Sequence, residues 1–202
     1  MYRYYLCHFL KPYYDNQSEW LRINSYASTG QAIKAPFTFY YVQDNDWNDS
    51  HNFQFWNKNF STDSDPGITN TATLKTVYDP SISGFALPRT AAFTGFTSSG
   101  EATGNIDEFN VSGGFTKGWN FYTNGWKSGS TIFFSALGYR DTYSGRAGSG
   151  TFDRVNALGG YWTSGAKSDV HACYFNLHAN GVGAQNWNYR SYGNGVRPSS
   201  EN

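Results

Sequence analysis

Glycine and asparagine interrupt nearly every apolar run in this chain, and this limits what it can fold into more than any other feature. "NVSGGFTKGWNFYTNG" (110–125), "GGYWTSG" (159–165) and "ANGVGAQNWNY" (179–189) show the pattern. Glycine costs about 1 kcal/mol against alanine inside a helix, and asparagine competes for the backbone in turns. The stretches between these breaks are rich in aromatic and β-branched residues, which suit a pleated surface. The pattern therefore predicts many short strands joined by turns, with few helices.

Those strands carry unusual bulk. The 202 residues include 16 Tyr, 16 Phe and 7 Trp, enough at this length to build one sizeable core. We read the chain as a single α+β domain, with upstream strands and a long loop over 1–70 and a core over 71–202 that ends in a hairpin. Charged residues make up only 15% of the chain, which rules out a coiled coil or an acidic disordered segment. A formal net charge of zero argues against nucleic acid as partner, because phosphate binding needs a basic surface. No apolar run reaches the roughly 18 residues that a membrane helix needs, so this chain is expected not to insert in a membrane. The first residues, "MYRYYLCHFL", are aromatic rather than basic then aliphatic, unlike an export signal. The expectation is a piece of a longer extracellular or cell-surface (or virion) protein.

Along the chain, "PFTFYYVQ" (36–43) reads as a strand and 44–70 as a long polar loop carrying Trp47 and Trp56. The clearest helix start is Thr90 as N-cap before Ala91, Ala92 and Phe93, with Gly95 ending a short helix. Residues 104–123 read as strand, turn and strand, 130–140 as an apolar run of strand length, and 141–150 as a Gly/Ser loop. "VHACYFNLHANGV" (170–182) and the tail after it read as a hairpin turning at "ANG".

Enzyme signals are poor. Asp44, Asp46 and Asp49 in "DNDWND" lack the frame of an EF-hand and read as a solvated turn, as do Asp63 and Asp65. His8, His51, His171 and His178 sit in no zinc or hydrolase motif, and His171 and His178 fall on opposite sides of one strand. Cys173 has no neighbouring base and reads as a small strand residue; a disulfide to Cys7 is left open. "GRAGSG" lacks the Lys-Ser/Thr of a phosphate loop. No metal site and no cofactor are expected.

Aromatic and amide residues concentrate at the end instead. If 182–192 is extended, Gln185, Trp187, Tyr189 and Ser191 share a face. Trp and Tyr beside amides are the composition of a paratope, and stacked aromatics with amides also suit sugars. The plainer reading is an aromatic strand face packed in the core, which we assign to Phe175 and Leu177. Trp187 is expected to be exposed, because the Asn and Gln residues flanking it are costly to bury unpaired.

Five segments in order, "TVYDPSISGFALPRTAAFTGF" (76–96), "NVSGGFTKGWNFYTNG" (110–125), "IFFSALGYR" (132–140), "GGYWTSG" (159–165) and "YRSYGNGVRPSSE" (189–201), carry a resemblance. Together they resemble the C-terminal domains of a paralogous family of bacterial surface proteins, often joined to fimbrillin-like or immunoglobulin-like modules. That family is similar to the C-type lectin fold, as in formylglycine-generating enzymes and the variable proteins of diversity-generating retroelements. The likeness covers roughly 70–200, and residues 30–60, with "QAIKAPFTFYYVQDNDWN" at 31–48, look like the family's upstream strand and loop.

The resemblance implies a fold of C-type lectin type and a frame made of Tyr161, Trp162, Ser164, Arg190, Gly193, Val196, Arg197 and Pro198. It implies a variable, ligand-binding set of Ser168, Asp169, His171, Tyr174, Asn176, His178, Gln185, Asn186, Trp187, Asn188, Tyr189, Tyr192 and Asn194. The partner would be a protein or glycan on another cell or a phage. Two positions depart from the family: Ser81 stands where it has Cys, and Asn194 where it has a large apolar residue. Only Cys173 lies near the C-terminus, so the oxidase chemistry of formylglycine-generating enzymes does not carry over. "WND" at 47–49 lacks the partner motif of a lectin calcium site. The expected function is ligand binding without catalysis. The alternatives are a pilus or adhesin subunit that uses the aromatic strand for assembly, and an enzyme of formylglycine-generating or carbohydrate-active type.

Overall fold

The computed structural model describes residues 21–24, 27–34, 38–41, 46, 48, 52–60, 67–140 and 152–200. Cys7, His8, Asp44, Trp47, Asp49, His51, Asp63, Asp65 and the loop 141–150 lie outside these residues. The architecture is strand-rich with few helices, in small and mostly antiparallel sheets.

Upstream, β1 (Leu21–Asn24) pairs in parallel with β2 (Thr38–Tyr41) across the helix α1 (Thr29–Lys34). Next, β3 (Phe85–Ala86) leads into a 3-10 helix, Thr90–Phe96. The strands β4 (Val111–Ser112), β5 (Gly118–Tyr122) and β6 (Thr131–Ser135) form a meander, and β7 (Tyr139–Arg140) pairs with β8 (Phe152–Asp153). The long strands come last. β9 (Leu158–Ala166), β10 (His171–His178) and β11 (Gly181–Tyr189) form one sheet with β10 in the middle. Finally, β12 (Ser199–Ser200) returns to β3.

The sheet β9–β10–β11 is covered on both faces. Along β10, odd positions point one way and even positions the other. Phe175 and Leu177 join Phe93, Phe96, Phe109, Trp119, Phe121, Phe134, Tyr161 and Val182 in the main core. Ala172 and Tyr174 join Leu87 and Trp162 on the opposite face, with Trp56, Tyr192 and Val196 against them. Phe175 sits at the centre of the main core, with its ring 4.6 Å from Phe93, 5.5 Å from Phe96 and 5.4 Å from Phe134. Two aromatic side chains of this core find partners for their polar ends: Tyr161 Oη donates to Ser135 O at 2.7 Å and Trp119 Nε1 to His178 O at 3.0 Å.

Several expectations change. Thr90 does not cap a helix. Its Oγ1 donates to Gly67 O and accepts from Thr69 N, pinning the incoming chain, while the helix start has no side-chain cap. The helix is 3-10 and runs past Gly95 to Phe96. Its buried residues are Thr90, Phe93 and Phe96, a spacing of three that lines up only at three residues per turn.

The segment read as strand, turn and strand is reached through a second 3-10 turn, Ile106–Glu108, and the run 130–140 is two strands, β6 and β7. Within the upstream loop read as solvated, the described residues Asp46 and Asn57 are instead built into the fold. Asp46 is 0% exposed and pairs with Arg190 at 3.2 Å. Asn57 is also buried; its Oδ1 accepts from Leu74 N and Asn59 N, and its Nδ2 faces Ser164 Oγ at 3.4 Å.

Glycine matters most where backbones touch. A Cβ at Gly118, whose φ is 153°, would fall 2.2 Å from Phe134 O, so only glycine lets β5 and β6 close there. At Gly160 a Cβ would meet Asn194 Oδ1 at 2.4 Å. That gap lets the C-terminal segment lie directly on β9, where Trp162 N donates to Gly195 O and Gly195 N to Gly160 O.

Candidate functional site

The hairpin β10–β11 has an inner end, at its turn, and an outer end, where it leaves the core. At the outer end His171 pairs with Tyr189 and Cys173 with Trp187. Opposite residues project from the same face, so His171 falls between two aromatic rings. Its ring lies 4.6 Å from Trp187 and 4.5 Å from Tyr189. The row continues from Tyr189 to Tyr192 at 5.7 Å, and from Tyr192 to Tyr139 at 5.5 Å in a near-parallel stack. Trp187 is 51% exposed at one end of this row, and Tyr139 is buried at the other.

Arg190 anchors the row from beneath. Its Nη1 donates to Asp169 O and its Nη2 to Asn52 O, and Asp46 supplies the opposite charge. The guanidinium also lies 5.8 Å from the Phe53 ring and 5.7 Å from that of Phe55. Burial pushes its pKa down, and Asp46 and Asp169 oppose that shift. On the other flank, Arg197 lies 4.3 Å from the Phe134 ring. Tyr161, Trp162 and Ser164 are buried in β9. Of the frame expected from the resemblance, Tyr161, Trp162, Ser164 and Arg190 are buried, and Gly193, Val196, Arg197 and Pro198 are half-buried.

The expected binding residues separate by position. Trp187, Tyr189, His171 and Tyr192 form the row, with Asp169 exposed beside it and Asn186 and Asn188 half-buried on the same strand. Ser168 and Gln185 are engaged internally. Ser168 Oγ accepts from Val170 N and His171 N. Gln185 Nε2 donates to Gly67 O and lies 3.3 Å from Cys173 Sγ. Asn176 and His178 lie at the inner end, away from the row; His178 Nδ1 accepts from Asn180 N, within the turn.

Two of the set are not displayed at all. Tyr174 packs against Trp162, and burial pushes its pKa up to about 12. Asn194 is 0% exposed and packs over Gly160, and neither of its amide atoms has a hydrogen-bond partner. Ser81, the other position that differs from the resembling segments, is also buried with no partner for Oγ. Ser191, expected on the Trp187 face, is buried in the turn after β11.

The exposed edge of β11 is closed in two ways. At the inner end Val182 N donates to Thr103 O and Thr103 N to Val182 O. At the outer end Arg190 N donates to Val170 O, so by alternation the N–H groups of Trp187 and Tyr189 point away from β10. These two donate instead to Asn186 Oδ1 at 2.8 Å and Asn188 Oδ1 at 2.9 Å.

Tyr139, Asp46 and Asn52 are participants that sequence reasoning did not connect to the site; nothing local to them signals a partner so far along the chain. An open groove of about 530 Å3 lies between the 3-10 helix and the meander, lined by Phe93, Phe96, Tyr122, Trp126, Ile132 and Phe134 among others. Among the described residues no cluster of His, Cys, Asp and Glu could hold a metal ion, and no helix is long and apolar enough to cross a membrane. The chain matches no family model, no curated protein and no solved structure.

Proposed function

We propose that this protein binds a protein or glycan ligand through the outer end of the β10–β11 hairpin. The observation that carries this reading is the aromatic row itself. A half-exposed Trp187 leads a file of His171, Tyr189 and Tyr192, and the file rests on a buried ion pair rather than on a mobile loop. Rigid aromatic area that costs little entropy to immobilise, with amides beside it, is what binding surfaces use. A C-type lectin type of fold, a cell-surface or virion setting and diversification of this stretch by a retroelement are parts of the same proposal. They are supported by the five ordered segments and by the order of frame and displayed residues in "QNWNYRSYGNGVRP" (185–198).

The direct test is an array of purified proteins and glycans probed with the full chain and with Trp187→Ala and Tyr189→Ala. Each substitution is expected to weaken captured ligands by about 2 kcal/mol, or roughly thirtyfold. Unchanged binding in both variants sinks the assignment. Diversification is tested in the genome, where a reverse transcriptase should accompany a near-copy of the 3′ coding region differing at adenines.

A further inference from the structure

Resting on that reading of the site, we propose that His171 makes the binding surface pH-responsive: the turn that holds the aromatic row closes only around the neutral imidazole. A hydroxyl oxygen has two acceptor positions and one proton to donate. Ser168 Oγ already receives the N–H groups of Val170 at 3.3 Å and His171 at 3.2 Å. It also lies 2.9 Å from His171 Nδ1. With both acceptor positions filled, the hydroxyl proton is the one directed at Nδ1. Nδ1 is therefore the bare nitrogen, and the ring proton of neutral His171 resides on Nε2. That atom is buried and has no hydrogen-bond partner, with the Trp187 and Tyr189 rings packed about the imidazole.

Adding a proton to Nδ1 sets N–H against O–H. The Ser168 hydroxyl must turn away and give up at least one of the two backbone N–H groups it accepts. Those N–H groups shape the turn between β9 and β10, in which Lys167 N and Ser168 N also donate to His171 O. The aromatic faces of Trp187 and Tyr189 favour a cation, but that attraction is modest where water is near. Burial opposes the cation, and the hydroxyl leaves it no acceptor at Nδ1.

The charged and titratable groups facing the imidazole among the described residues are few. Lys167 and Asp169 come from the turn and act in opposite senses. From β11 comes the Tyr189 phenol, and just beyond it Arg190, which holds Asp169 O. The His171 pKa lies below the ordinary histidine value, chiefly through desolvation. The closed turn therefore binds the proton less readily than the open one. Closure is complete above the ordinary histidine value of about 6.5 and weakens as pH falls below it.

The experiment is an NMR pH titration of the full chain labelled with nitrogen-15, with hydrogen exchange of the Val170 and His171 amides. At pH 7.5 His171 is expected as the Nε2–H tautomer. Between pH 7 and pH 5 the protection factors of the two amides are expected to fall at least about threefold in the wild type. His171→Asn offers an amide oxygen to Ser168 and does not titrate, so its protection stays flat; Ser168→Thr keeps the hydroxyl and the wild-type behaviour. An Nδ1–H tautomer, or a parallel fall in wild type and His171→Asn, overturns the proposal. These readouts need no ligand, so they fail or succeed independently of the array that tests binding.

Discussion

The two ends of the β10–β11 hairpin are made of the same residue classes and do opposite things. At the inner end Phe175, Leu177 and Val182 are buried against the 3-10 helix, and Thr103 closes the strand edge. At the outer end His171, Trp187 and Tyr189 have no layer above them of comparable depth, and Trp187 is half in water. Aromatic content alone does not separate core from surface here. What separates them is whether another element brings apolar area to the same face. The 3-10 helix does so at the inner end; at the outer end Arg190 and its partners support the row from beneath.

The largest effect is expected at the inner end. Phe175→Ala removes the ring at the centre of the core and is expected to cost about 3–5 kcal/mol in denaturant unfolding. A cost below about 1 kcal/mol would mean that the core is not organised around it. Next comes the support of the outer end. Asp46→Ala leaves the Arg190 guanidinium buried without its counter-charge and should cost about 3 kcal/mol. Circular dichroism in the near ultraviolet should change with it, since Phe53, Phe55 and the row all lie near that guanidinium. The third test separates display from stability: Trp187→Ala should leave unfolding within about 0.5 kcal/mol of wild type, the usual range for an exposed side chain. A large loss would instead place Trp187 in the core or in an interface between copies. The smallest effect belongs to Asn188→Ala, which frees the Tyr189 N–H at the strand edge. Stability should shift by only a few tenths of a kcal/mol, while sedimentation should reveal more self-association at high concentration.

Much of the hairpin was legible in advance. "ANG" between two aromatic runs marked its turn, and Phe175 and Leu177, read as core, are buried there. The resemblance named Tyr161, Trp162 and Arg190 as frame, and all three side chains are buried. Other features have no local signature. Asp46 and Arg190 meet only after the whole fold has formed, and composition around Asp46 suggested a solvated turn. Thr90 looked like a helix cap because capping and pinning use the same hydroxyl; which N–H it meets depends on where residues 67–69 run. Tyr174 and Asn194 carry polar groups that suggest display, yet close backbone approach at Gly160 and packing on Trp162 bury both.

The paired asparagines of β11 have a consequence for how freely this stretch can be rewritten. Each one insulates the backbone N–H that follows it, so Asn186 and Asn188 act as part of the strand as well as part of its decoration. A library randomised at 187 and 189 samples side chains on a closed edge. One randomised at 186 and 188 also samples sticky strands, and its survivors should be biased towards residues that place an oxygen within reach of the next amide.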